Sequence, residues 1–169
     1  MKNKSILDNP IVQALSLFFL LMAIGLVTRF PAHQFPQIYA LHGVLTAPFF
    51  SIIALWHLNR QGSILTLLVA TLALAAVLGS MSITMGLSFA LLAICLLATY
   101  GFLWKLDFKK RRFWCAVAFG GLDYPCTLFT GVALGSYAIS GDSIVIVLLL
   151  SALSIALASF ASLLLADKR

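Results

Sequence analysis

Apolar residues in this chain fall into long runs, not into the short periods of a soluble fold. Six runs stand out, at 11–28, 41–58, 63–80, 87–104, 113–135 and 143–166. Each reaches or approaches the ~20 residues a helix needs to cross a bilayer. The polar stretches between them are short. Residues 29–40 (RFPAHQFPQIYA) form the longest, 57–62 (HLNRQG) and 80–86 (SMSITMG) read as tight connections, 105–112 (KLDFKKRR) is basic, and 136–142 (SYAISGD) reads as a turn. The pattern predicts an all-α polytopic membrane protein, with six transmembrane helices in one integral domain over 1–169. Pro10 suits a helix start. No A-x-A-like site follows the first apolar run, so 11–28 reads as an uncleaved helix and not a signal peptide. Pro31 and Pro36 argue against a simple helix through 29–40, and Pro48 interrupts the second span, where neighbouring helices can re-satisfy the ladder.

Composition agrees with the pattern. The chain is 62% hydrophobic and 9% charged, whereas a soluble domain carries roughly 25% charged residues. The net charge of +6 is informative through its placement. With the amino terminus in the cytoplasm, Lys2, Lys4, Arg60, Lys105, Lys109, Lys110, Arg111, Arg112, Lys168 and Arg169 fall inside, and of the 11 cations only Arg29 falls outside. Both termini are therefore expected on the cytoplasmic side of the plasma membrane. The cations read as topological anchors in contact with lipid, and nothing in them calls for nucleic acid.

Several chemistries are excluded. The chain has no Glu, no GxSxG, no Walker motif and no His–carboxylate pair at catalytic spacing, so no enzyme is expected. Cys95, Cys115 and Cys126 lie in apolar spans without a CxxC pair and read as small hydrophobes, with no disulfide or metal site. His42 and His57 share one helix, ~22 Å apart along its axis, which does not suit haem; no cofactor is expected.

The candidate chemistry gathers in 111–135, RRFWCAVAFGGLDYPCTLFTGVALG. Asp123 is the one acid inside an apolar run, where a charge costs at least ~2.5 kcal/mol. On a helix it shares a face with Thr127 and Thr130, with Tyr124 beside it and Pro125 set to bend the chain. Three readings are open: contact with a ligand, a protonated carboxyl packed against a neighbouring helix, or proton coupling. The 29–40 stretch offers His33, Gln34, Phe35 and Tyr39 among aromatics, as a lid over a pocket or as an aromatic belt. His42 lies close beneath it. Arg29 is too little positive charge for a polyanionic ligand; one acid, hydroxyls and aromatics suit a neutral or weakly basic ring. On the third span Thr71, Ala75 and Gly79 recur every four residues as a small-residue stripe.

Taken together, the chain resembles the membrane-embedded substrate-binding (S) component of an energy-coupling-factor vitamin transporter. The resemblance covers the six-span architecture and the long first outer loop. It is nearest in NRQGSILTLLVATLALAAVLGS (59–80), where a basic turn leads into a small-residue helix, and in FGGLDYP (119–125). It implies a non-catalytic subunit that binds a small water-soluble vitamin or precursor, of pyrimidine or pyridine type, from outside through the first loop and helices four to six. It further implies docking, here through Thr71, Ala75 and Gly79, on a transmembrane coupling (T) subunit driven by two cytosolic ATPases. Two other classes compete: a non-catalytic scaffold of the cell-shape type, and a small proton-coupled carrier.

Overall fold

The computed structural model describes residues 9–32, 34–35, 38–60 and 62–166. These form seven helices and no strand: α1 (Pro10–Ala32), α2 (Leu41–Asn59), α3 (Ile64–Met81), α4 (Ile83–Phe102), α5 (Phe108–Gly121), α6 (Asp123–Ala133) and α7 (Gly141–Ala166). α1 to α4, and α7 over Ser143–Ala166, are each long and apolar enough to cross a membrane. Large apolar side chains such as Phe19, Val27, Leu65, Leu148 and Leu163 point outward. In water such a surface would aggregate; in a bilayer it faces lipid tails.

Three expectations about the elements need correction. α1 continues through Arg29 to Ala32, so Pro31 ends the helix from within its last turn, at the cost of one ladder bond. The expected connection at 80–86 is absent, because α3 runs to Met81, α4 begins at Ile83, and only Ser82 separates them. Glycine permits this tight hairpin: a Cβ on Gly86 would sit 2.5 Å from the Gly79 Cα. The expected fifth span, 113–135, is two helices meeting at Leu122, with α5 starting five residues early at Phe108.

The break follows from Pro125. Its ring has no N–H to give the carbonyl four residues back, that of Gly121, and it crowds that carbonyl. The orphaned Gly121 oxygen is taken by the Ser154 hydroxyl of α7 at 3.0 Å. Pro125 then falls in the first turn of α6, where a missing N–H costs nothing.

α2 is the centre of the bundle and packs on α1, α5, α6 and α7. Gly43, Ala47 and Ser51 recur every four residues along it and form its contact with the broken span. A Cβ on Gly120 would lie 2.2 Å from the Ala47 carbonyl oxygen, so the two backbones nearly touch. Ser51 Oγ donates to the Ala158 carbonyl at 3.1 Å, and Ser88 Oγ and Thr130 Oγ1 share a hydrogen bond of 2.5 Å. Such bonds between helices, with close small-residue contact, hold a bundle together where lipid offers no hydrophobic drive.

A candidate ligand cavity at a helix break

α6 opens with Asp123, so the buried carboxyl occupies a helix N-terminus, where the dipole favours negative charge. Across from it, on α2, stands Thr46. Its hydroxyl lies 3.0 Å from the Gly43 carbonyl oxygen and is also hydrogen-bonded to Asp123 Oδ2. A hydroxyl has one proton to donate. It donates to Oδ2 when Asp123 is ionised; when Asp123 is protonated, the carboxyl donates to Thr46, which turns its own proton to Gly43. The site therefore has a complete hydrogen-bond arrangement for either state.

Asp123 and Thr46 border a cavity of about 110 Å³ between α1, α2, α3, α4 and α6. His42 and Phe50 line it from α2, Met85, Ser88 and Phe89 from α4, Thr127 from α6, and Arg29 stands on its rim at the end of α1. The lining is mainly apolar with a few convergent polar groups, as small-molecule sites usually are. The floor accepts hydrogen bonds or takes positive charge; the rim carries a fixed cation.

Of the residues singled out in the sequence, Asp123, Thr127 and His42 come together here. Tyr124 does not: it is buried on the other side of α6, against Gly43, Val44 and Leu128. Thr130 is turned to Ser88 on α4. Tyr39 stacks on Tyr137, with ring centroids 4.7 Å apart, and so ties the α6–α7 connection to the start of α2. Burial raises the Tyr39 phenol above its usual pKa, partly offset by a hydrogen bond with Ser136. Gln34 and Phe35 are exposed and away from the cavity wall, and His33 lies outside the described residues. Thr71 and Ala75 are buried, and Gly79 faces Gly86, so the stripe on α3 makes its close contact inside this chain.

The residues that sequence reasoning passed over have clear registers. Thr46 and Phe50 follow His42 at spacings of four on one face of α2. Met81, Met85, Ser88 and Phe89 are brought to the cavity by the α3–α4 hairpin, and reading 80–86 as a loop hid Met81 and Met85.

The fold and cavity define a class: a helical, multi-pass membrane protein with a polar-floored cavity at a broken helix. Compared with known proteins, the chain matches no family model, no curated protein and no solved structure.

Proposed function

We propose that this chain is the substrate-binding subunit of an uptake system for a small water-soluble ring compound of the vitamin or vitamin-precursor kind. In this reading it is the S component of an energy-coupling-factor type transporter with six spans and both termini inside, α5 and α6 together forming the fifth. It performs no chemistry itself; a transmembrane coupling subunit and two cytosolic ATPases supply the work.

The observation that carries the reading is Asp123, a lone intramembrane carboxyl at a helix break on the wall of a cavity. Broken helices are where transporters commonly place ligand groups, and intramembrane acids are rarely kept for packing alone. The volume narrows the ligand. A dry cavity of ~150 Å³ takes a benzene-sized molecule, so about 110 Å³ sets one small ring as the upper limit, with any substituent reaching out towards Arg29 on the rim. Phe50 and Phe89 offer ring faces, Asp123 an acceptor for a ring N–H, and Arg29 a partner for one carboxylate or carbonyl. A pyridine- or pyrimidine-type compound with one acidic or carbonyl substituent fits all three.

With Thr71, Ala75 and Gly79 turned inward, docking on the coupling subunit falls in this reading to the open apolar groove between α1 and α3. Small residues Ala14, Ala70 and Ala73 line it beside Leu15 and Val69.

The test is calorimetry on the purified protein with a panel of one-ring vitamins and precursors, comparing wild type with Asp123→Asn. Submicromolar binding of one compound by wild type, weakened in the variant, supports the reading; no binding across the panel removes it. Co-purification of a second membrane protein and two ATPases identifies the coupling module, whereas cell-wall or cytoskeletal proteins would favour a scaffold. The Thr46 hydroxyl, which serves both states of Asp123, favours a proton-coupled carrier as the second reading. Uptake abolished by an uncoupler but indifferent to ATP depletion would select it.

A further inference from the structure

At the opposite end of the bundle from Arg29 and His42, a second depression of about 170 Å³ is bordered by Leu58, Gly62, Ser63, Tyr100, Phe108 and Arg112. The α5 start that lines it carries the chain's densest run of cations, Lys109 to Arg112. Arg112 lies over the Phe108 ring, its guanidinium carbon 3.7 Å from the centroid. Arg111 packs on Tyr100 and Phe108 at 4.6 and 5.5 Å. Its Nε is buried and has no hydrogen-bond partner. No carboxylate oxygen among the described residues lies within 4.0 Å of either guanidinium. Burial, and the neighbouring Arg111 charge, lower the Arg112 pKa. Two adjacent, aromatic-stacked guanidinium groups with no counter-ion among the described residues, Arg112 on the wall of the depression and Arg111 beside it on α5, form half of an ion-binding site. The first turn of the 18-residue helix α3, capped by Ser63, faces the same depression and adds positive potential.

All three tryptophans ring this end: Trp56 in the last turn of α2, Trp104 just after α4 and Trp114 in α5, each exposed. Indoles at one level mark the headgroup layer. The depression thus opens where phospholipid phosphates are concentrated, and its Leu58 and Phe108 walls suit the start of an acyl chain.

We propose that Arg111 and Arg112, with the α3 N-terminus, form a binding site for a phosphate anion, and that the occupant is the headgroup of an anionic phospholipid of the adjacent leaflet. The lipid phosphate would supply the acceptor oxygens that the Arg112 fork lacks, with the Arg111 charge beside it adding to the attraction. The inference does not depend on what the central cavity binds.

The test uses the full chain in neutral detergent, followed by native mass spectrometry and thermal unfolding with added phosphatidylglycerol or phosphatidylcholine. Expected is retention of one phosphatidylglycerol through delipidation and a rise in unfolding temperature that phosphatidylcholine does not give. The double variant Arg111→Gln, Arg112→Gln should weaken retention by about tenfold or more, the loss of charge-assisted bonds. Lys109→Gln with Lys110→Gln, exposed neighbours in the same run, should retain it. Arg112→Lys keeps the charge but not the fork, and should hold the lipid more weakly than wild type even if the double variant does not fold. Equal loss in the lysine and arginine variants would mean a diffuse surface potential and overturn the site. Retention unaffected by Arg112→Lys would overturn the fork. The same stabilisation by inorganic phosphate or glycerol phosphate at equal concentration would assign the site to a soluble anion and overturn the lipid.

Discussion

Asp123 is held in place by one side chain, the Thr46 hydroxyl, and the two residues make opposite predictions. Asp123→Asn keeps a group that Thr46 can bond, so folding should change little. A ligand N–H would lose a charged acceptor worth about 1.5–3 kcal/mol, so affinity in calorimetry should fall roughly tenfold or more. Thr46→Val instead leaves the buried carboxyl without a partner. It should destabilise the protein by about 1–3 kcal/mol, read as a lower unfolding temperature in detergent, while Thr46→Ser stays near wild type. At this scale the sequence was informative where a residue type was rare in its surroundings. A lone acid in an apolar run is visible without a structure, as is the threonine one turn on. Thr46 and Ser88 were not visible, because hydroxyls in membrane helices usually bond their own backbone. Only the pairing of α2 with α6 and of α4 with α6 shows that these two reach across.

Among the elements, the broken span decides the geometry. Ser154 on α7 satisfies the carbonyl that Pro125 leaves free, so Ser154→Ala should cost about 0.6–1.7 kcal/mol, the range of hydrogen bonds between membrane helices. Gly120→Ala should be worse than its size suggests. A methyl 2.2 Å from the Ala47 oxygen forces α5 away from α2, with a cost of about 1–3 kcal/mol and a loosened cavity. Both can be followed by thermal unfolding, the second also by weakened ligand binding. Five of the six expected spans were legible because twenty apolar residues in a row have few other uses. The ends of those spans were less so. Hydropathy does not distinguish a polar turn from the first turn of a helix, and Thr84 and Ser88 satisfy themselves on their helix or on its neighbours. The proline signalled a bend in the fifth span. It did not signal that the bend would set Asp123 at a helix start, which depends on Gly121 finding a donor on α7. The glycine–alanine–serine register on α2 is readable in the sequence, and the helix carries it unbroken past Pro48.

For the whole molecule, the cation distribution predicts which end faces the cytoplasm. Single cysteines at Ser140, between α6 and α7, and at Lys109, in the basic run, are both on exposed positions. An impermeant maleimide on intact cells should modify Ser140→Cys, and Lys109→Cys only after permeabilisation; the reverse would invert the topology. The native thiols should add little background, since Cys115 and Cys126 are buried and Cys95 is partly so. Lys2, Lys4, Lys168 and Arg169, on which the position of the two ends rests, lie outside the described residues.

The segregation of the indoles has an optical consequence. Trp56, Trp104 and Trp114 lie at the basic end, while the cavity is lined by no tryptophan at all. Intrinsic emission excited at the red edge therefore samples only one leaflet. A compound entering between Arg29 and Asp123 should leave the spectrum almost unchanged, whereas lipids brominated near the headgroup should quench it strongly. The same chain thus carries its own depth gauge at one surface and is spectroscopically dark at the other. Placing a single indole at Phe89, on the cavity wall, would convert that dark end into a reporter with little interference from the native three.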